Sequence, residues 1–147
     1  MASLRAMVWD ALRVWPRRRK EGELIAGASF IVPLLTDSKS TTFGPSSPIE
    51  AGNMIWEPTE FDVFESVWRA IMSSTGSGVG VLQLYNYNTG SEIARLTVTG
   101  GETYAEKTSS VTLPSIGSSV LIGGRLWRNS GSGTIIAHVS NLRIREK

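Results

Sequence analysis

The chain has 147 residues, of which 41% are hydrophobic and 19% are charged, values typical of a globular domain rather than of a disordered segment. It contains no cysteine and a single histidine, which excludes disulfides and thiolate metal sites and leaves too few ligands for a zinc or iron centre. The net charge of +2 is uneven, because residues 1–23 carry six basic and three acidic side chains while the remainder carries nine basic and ten acidic.

Residues 1–23 are the first predicted element, a basic N-terminal arm. Apolar residues recur in it at helical spacing, which predicts one short amphipathic helix over about residues 3–15 that ends before Pro16. A helix of this length is marginal alone in water, so its apolar stripe needs a docking surface on the body, on another copy or on another protein. The arm residues expected to bind a partner are Leu4, Met7, Val8, Trp9, Leu12, Trp15, Arg17, Arg18, Arg19 and Lys20.

The excess positive charge lies in this arm and not in the body of the chain. A nucleic-acid-binding domain usually carries a basic face on its folded body, so we expect no direct binding to nucleic acid. The longest apolar stretch, Phe30 to Leu35, is broken by Pro33 and is far shorter than the ~20 residues of a membrane span. We therefore expect no membrane insertion, and basic residues and Asp10 interrupt any signal peptide.

From residue 24 onward the pattern changes to short strands separated by Gly, Ser, Asn and Pro. The clearest strand spans residues 79–87, and a glycine-containing turn at 88–91 joins it to the next strand as a hairpin. About eight strands with regular turns predict an all-β fold, a jelly-roll-like β-sandwich over residues 24–147. The predicted strands are 28–35, 53–57, 62–72, 79–87, 92–99, 103–113, 119–128 and 134–145.

The segment from Thr36 to Asn53 lacks clear periodicity and contains Pro45 and Pro48. We interpret it as a long loop across the sandwich or as a segment that a partner orders. Loops of this length inside compact domains are uncommon and often functional.

Motifs for catalysis or cofactor binding are missing from the sequence. We interpret His138 as a half-buried structural residue of a strand, since no second histidine accompanies it. Ser77 and Ser132 each lie between two glycines, which we interpret as flexible hairpin turns because neither sits on the strand-to-helix turn of a nucleophile elbow. No glycine-rich loop follows a strand and precedes a helix, as phosphate binding requires. The sequence therefore predicts a protein that is not an enzyme and needs no cofactor.

The densest charge cluster of the body is acidic and comprises Glu57, Glu60, Asp62 and Glu65. Carboxylates so grouped can hold calcium or carry out general acid–base catalysis. A solvated sheet edge that resists pairing with other strands is the interpretation that we favour.

Aromatic side chains lie on most predicted strands, and their placement separates two functional classes. Rings that fill a core or a subunit contact indicate a structural sandwich, whereas exposed coplanar rings along a groove indicate a sugar-binding one. Tyr85 and Tyr87 share a face with Val79 and Val81, which favours burial of both rings. The aromatic residues concerned are Trp56, Trp68, Tyr85, Tyr87, Tyr104 and Trp127.

Three segments, Leu82 to Ala94, Thr112 to Pro114 and Gly133 to Ala137, carry a resemblance to a known group of proteins. The chain resembles, over roughly residues 60–145, the carbohydrate-binding-module-like jelly rolls of tailed-phage virion proteins. These include capsid decoration (cement) proteins, head fibres and parts of tails. The N-terminal arm is similar to the extensions with which decoration proteins reach over neighbouring subunits.

The resemblance implies a structural virion protein that decorates and stabilises the capsid surface. Its expected partners are the major capsid protein and further copies of the chain, as a trimer or dimer. The alternative is a carbohydrate-binding or host-recognition module of a head fibre or tail, with a glycan as ligand. No catalytic or metal-binding residue follows from the resemblance.

Overall fold

A computed structural model describes residues 29–58, 64–114 and 117–146 of the chain. These residues form nine β-strands, so the predicted all-β body is confirmed, while the predicted arm and its helix lie outside the described residues. The strands are β1 (Ser29–Leu35), β2 (Lys39–Thr41), β3 (Ile49–Trp56), β4 (Phe64–Ser74), β5 (Val79–Asn86), β6 (Ser91–Val98), β7 (Ala105–Val111), β8 (Val120–Ser130) and β9 (Ile135–Glu146). No helix long and apolar enough to cross a membrane occurs in the described part.

The strands form two antiparallel sheets that pack face to face. The five-stranded sheet has the order β1-β9-β4-β7, with β2 pairing further along β9, and the four-stranded sheet has the order β3-β8-β5-β6. Most connections therefore pass from one sheet to the other, and only β5 and β6 are joined as a hairpin within a sheet. This interleaved order is that of a jelly roll, a double Greek key, as the sequence predicted.

The core lies between the two sheets and is filled by inward-pointing side chains of strands from both sheets. Alternation places large apolar residues inward because successive side chains of a strand point to opposite faces. Full burial of each large side chain contributes on the order of 1.5–3 kcal/mol. The inward residues with no measurable exposure are Trp56, Trp68, Ala70, Met72, Leu82, Leu84, Val98, Ile122, Leu126, Ile135, Ala137, Leu142 and Ile144.

The segment 36–53 is not the irregular loop that its sequence suggests. It contains β2, which is three polar residues long, and the first five residues of β3. The pairing of β3 with β8 shifts register between Glu50 and Asn53. Gly52 lies in that shift with a φ of +85°, and a Cβ there would sit 2.1 Å from the Leu34 carbonyl oxygen. The register shift breaks the alternation by which a strand is recognised.

The β5–β6 hairpin shows how one side chain organises a turn. The Asn86 side-chain oxygen accepts hydrogen bonds from the backbone N–H groups of Asn88 and Thr89. Gly90 takes a positive φ of 70° and donates its N–H to the Asn86 carbonyl. The predicted hairpin is confirmed, with β6 beginning at Ser91.

Candidate interaction site

All ten arm residues that the sequence predicts as partner-binding lie outside the described residues. Leu4 to Lys20 therefore remain predictions, and the site described below is built from the sandwich. Two surfaces of the sandwich carry clusters of interacting aromatic, charged and polar groups. The first is the outer face of the four-stranded sheet, turned away from the core, and the second is the loop end, made by the turns 75–78, 99–104 and 131–134.

The outer face combines aromatic rings with arginines. Arg125 lies over the ring of Tyr85, with 4.4 Å between the guanidinium carbon and the ring centroid, and Arg95 lies over Trp127 at 5.5 Å. Tyr85 and Tyr87 meet edge to face at an angle of 81°. An arginine thus covers one face of Tyr85 and of Trp127, and Tyr85 and Tyr87 are not coplanar.

This outcome corrects one detail of the sequence prediction. Tyr85 does share a face with Val81, but that face is the outer one, and the core residues of β5 are Leu82 and Leu84. Val81 is buried there, with 3% of its surface exposed, while Tyr85 is half-buried. An apolar–aromatic alternation does not by itself say which face of a strand meets the other sheet.

Charged and amide groups link neighbouring strands across the outer face. The Glu92 carboxylate pairs with Arg95 at 2.7 Å and accepts a hydrogen bond from the Gln83 amide nitrogen at 2.6 Å. The hydrogen bond from Arg95 is the main reason that the pKa of Glu92 lies below its ordinary value. Burial, reinforced by the nearby carboxylate of Glu50, raises the pKa of Tyr87.

Among the residues that the structure describes, two buried polar atoms of the outer face have no hydrogen-bond partner. These are the Gln83 side-chain oxygen and the Trp127 indole N–H, on side chains that are 8% and 6% exposed. Because Glu92 requires the amide nitrogen of Gln83 as its donor, the amide oxygen must point away from it. An unpaired buried donor destabilises the folded state.

This unpaired N–H gives a prediction with a matched control. Trp68 is also buried, with 0% of its surface exposed against 6% for Trp127, but its indole N–H donates to the Ser140 hydroxyl at 2.7 Å. Both Trp→Phe substitutions lose apolar volume, yet only Trp68→Phe also breaks a hydrogen bond and leaves a buried hydroxyl unpaired. We expect Trp68→Phe to lower the free energy of unfolding by about 1–3 kcal/mol more than Trp127→Phe. Urea denaturation measures both, and equal losses would contradict the assignment.

The loop end consists of three glycine- and serine-rich turns that bond to one another. The Thr75 N–H donates to the Thr134 carbonyl at 3.0 Å, and the Gly101 N–H donates to the Ser74 carbonyl at 3.2 Å. The Ser132 N–H donates to the Ser77 hydroxyl at 3.2 Å. Hydrogen bonds therefore join the three turns to one another, although the turns are far apart in the sequence.

The prediction that Ser77 and Ser132 lie in flexible hairpin turns is wrong. Both turns connect strands of opposite sheets, β4 to β5 and β8 to β9, so neither closes a hairpin. They also pack closely, since a Cβ at Gly131 would lie 2.3 Å from the Ser77 carbonyl oxygen. The glycines allow the backbones of the two turns to approach closely. Composition alone does not distinguish this role from flexibility.

Glu102 closes the 99–104 turn. Its carboxylate accepts hydrogen bonds from the Thr99 N–H at 2.8 Å and the Thr99 hydroxyl at 2.6 Å, and it pairs with Lys107 at 2.7 Å. The Lys107 hydrogen bond, followed by those of Thr99, lowers the pKa of Glu102 to about 2.

The lowered pKa predicts how stability depends on pH. Because the folded state holds Glu102 ionised more strongly than the unfolded chain does, its contribution is present above the ordinary pKa and is lost as pH falls towards about 2. We expect wild type to melt at a higher temperature than Glu102→Gln at pH 7. The difference should shrink steadily between about pH 5 and pH 2. A difference that stays constant over that range would contradict the account.

Tyr104, His138 and Ser73 form a cluster beside the loop end. The Tyr104 and His138 rings stack with their centroids 4.2 Å apart and their planes 17° from parallel. The Ser73 hydroxyl hydrogen-bonds His138 Nε2 at 2.7 Å and accepts the Tyr104 backbone N–H at 2.8 Å. His138 is half-buried on β9, as its sequence context predicts, and supports an exposed ring.

Tyr104 is the functional candidate that sequence reasoning placed incorrectly. The sequence puts it within a strand, whereas β7 starts at Ala105 and Tyr104 stands before it with a φ of +48°. Its side chain is 68% exposed. A positive φ is expected at Gly, Asn or Asp and not at Tyr, so no local sequence pattern predicts this conformation.

The acidic cluster does not assemble as a metal site in the described residues. Glu60 and Asp62 lie outside them, Glu57 accepts a hydrogen bond from a serine hydroxyl, and Glu65 pairs with Arg145 at 3.1 Å. Within 29–58, 64–114 and 117–146, no three His, Asp or Glu side chains are grouped so as to hold a metal ion.

No protein-family model matches the chain, and no curated protein matches it. Among solved structures, it is similar to the infectious bursal disease virus VP2 protein of a subviral particle, with a TM-score of 0.50 and 10% identity over 84% of this chain and 33% of that one. The chain thus spans about a third of the length of that protein. At this identity the likeness shows the fold alone.

Two other likenesses are weaker and bear no argument. One is to the CBM22-1–GH10 modules of Clostridium thermocellum xylanase 10B complexed with xylohexaose, with a TM-score of 0.36 and 16% identity over 80% of this chain and 26% of that one. The other is to Bacillus endospore appendages that form disulfide-linked pili, with a TM-score of 0.35 and 12% identity over 84% and 96% of the two chains.

Proposed function

We propose that this chain is a structural protein of a virion, a decoration protein that binds the outside of a capsid shell and stabilises it. The observation that carries the proposal is the strand order β1-β9-β4-β7 and β3-β8-β5-β6. It makes the chain a jelly roll, a fold common among viral capsid domains, and one that it shares with the VP2 protein of a viral particle.

The sequence of the arm supports attachment to a shell. Residues 1–23 combine an apolar stripe with the basic run Arg17 to Lys20, and so offer both burial and charge to a neighbouring subunit. The partner in this proposal is the major capsid protein, and the chain associates with itself as a trimer or dimer. Its place is the capsid surface of the virion.

Sugar binding is the competing function, because lectins also use the jelly roll. Stacking on a sugar calls for exposed, roughly coplanar rings, but Tyr85 and Tyr87 stand at 81°. Arg125 and Arg95 lie over Tyr85 and Trp127. The geometry of the outer face therefore favours the structural function.

The hydrogen-bonded pair of Ser73 and His138 also fits a structural function better than catalysis. The Ser73 side chain is only 5% exposed, and its oxygen is already engaged by His138 and by the Tyr104 N–H. A nucleophile must reach its substrate, which this hydroxyl does not. We propose that the protein is not an enzyme.

The proposal is tested by mixing the purified chain with shells of the encoding virus that were assembled without it. After sedimentation, bound protein is measured against the concentration added. We expect saturable binding at a fixed ratio to capsid subunits and a higher melting temperature of the loaded shells. Protein that stays in the supernatant at every concentration would contradict the proposal, and shells of an unrelated virus serve as the control.

A further inference from the structure

Tyr104 combines two features that rarely occur together. It is the one non-glycine residue with a positive φ among the described residues, and its large apolar ring is 68% exposed. Left-handed backbone at a bulky residue is strained, and strain of this kind persists where the surrounding structure imposes it, often at functional positions.

The surroundings do impose this conformation. The Ser73 hydroxyl accepts the Tyr104 N–H, and the preceding turn is closed by the Glu102 carboxylate and by bonds between Ser74 and residues 101–102. His138 packs flat against one face of the tyrosine ring. The ring therefore projects from a rigid base in a fixed orientation before any partner arrives.

Folding does not explain why a tyrosine stands at this position. Glycine adopts this φ without strain, and an exposed ring gains little from the hydrophobic effect in the free protein. The stacking on His138 stabilises the ring, but the strained backbone opposes it. A preorganised ring that adds little to folding is instead suited to binding, because little conformational entropy is then lost on association.

The carboxylates two residues before and two residues after Tyr104 in the sequence indicate which kind of partner fits. Glu102 is engaged by Lys107 and Thr99, and Glu106 pairs with Arg69 at 2.8 Å. A sugar bound on the ring would need such groups to receive its hydroxyls, but they are already paired within the chain. An apolar pocket makes no such demand, and tyrosine is enriched at the centres of protein interfaces.

We propose that Tyr104 anchors the sandwich by inserting its ring into an apolar pocket on the surface of a capsid subunit. This inference rests on the proposed function and assigns the loop end as the face turned towards the shell. The arm then holds neighbouring subunits while Tyr104 fixes the position of the sandwich.

The decisive variant is Tyr104→Gly, tested in the full chain against the same unloaded shells. Glycine relieves the backbone strain while removing the ring, so the variant is expected to melt within a few degrees of wild type. Its dissociation constant should rise roughly thirtyfold, the loss typical of a hot-spot tyrosine. Tyr104→Asn, which also tolerates this φ, is a second variant should glycine perturb the turn, and it should lose the same affinity.

The control is Ile31→Ser, which removes an exposed apolar side chain of β1; Ile31 pairs with Arg143, towards the end of β9 that lies away from the loop end. It should bind like wild type, and Tyr104→Phe should retain most of the affinity. If wild type binds and both Tyr104→Gly and Tyr104→Asn bind equally well, the inference is overturned while the proposed function stands. If wild type itself does not bind the shells, both are overturned.

Discussion

Deletion of residues 1–22 is expected to weaken attachment to the capsid shell about a hundredfold and to leave the sandwich folded. The apolar stripe that the sequence predicts for the arm includes Leu4, Met7, Val8, Leu12 and Trp15. Burial of each large side chain against a partner contributes on the order of 1.5–3 kcal/mol, less the loss of entropy on ordering the arm. A net loss of about 3 kcal/mol corresponds to about a hundredfold in Kd. Sedimentation with unloaded shells measures the loss.

The basic run of the arm supplies the matched control. Neutral replacements of Arg17, Arg18, Arg19 and Lys20 remove charge but keep the stripe, so they should weaken binding less than the deletion does. The remaining binding should depend less on salt, because screening acts on the charge contribution. If the truncated chain occupies the shell as fully as wild type, the arm does not attach the protein to the shell, and the sandwich binds through its own surface.

Substitution Gly133→Ala is expected to lower the free energy of unfolding by on the order of 4 kcal/mol, although it adds only a methyl group. Gly133 has a φ of +107°, and a Cβ there would lie 2.2 Å from the Thr75 carbonyl oxygen. The backbone conformation and the overlap with backbone atoms each contribute about 1–3 kcal/mol. Since the obstructing atom belongs to another turn, relief requires the loop end to come apart.

Two other glycines separate these contributions. Gly101 has a φ of +83° with nothing near its Cβ position, and Gly44 has an ordinary φ with only an ordinary contact to the Arg128 carbonyl oxygen, at 3.9 Å. We expect Gly101→Ala to destabilise by about 1 kcal/mol, from the backbone alone, and Gly44→Ala to be nearly neutral. Chemical denaturation of the three variants gives the order. Equal effects at Gly133 and Gly101 would show that the turns are not interlocked.

The sequence predicted the strands where a regular alternation meets clear turn residues. All eight predicted strands overlap observed ones, and the β5–β6 hairpin follows from Asn88 and Gly90, which suit its turn. These signals are local. The number and spacing of the strands predict the fold class, a jelly roll, but they do not predict which strands pair. The sequence therefore predicts the architecture, but it does not predict the pairing of the strands or their register.

What the sequence missed depends on contacts between distant segments. The strand β2 is short and polar and is defined by its pairing with β9. Gly131 and Gly133 look like flexible turn residues until Ser77 and Thr75 are placed against them. Tyr104 takes its conformation from Ser73, thirty-one residues earlier. Each of these contacts joins residues that are far apart in the sequence, so no pattern among neighbouring residues predicts it.

The central claim is that this jelly roll sits on the outside of a capsid shell. Electron cryomicroscopy of shells incubated with the full chain tests it directly, by comparison with the same shells without it. We expect added density at symmetry-related positions on the outer surface, with the two-sheet sandwich recognisable and its loop end turned towards the shell. Shells without added density at saturating protein would contradict the account.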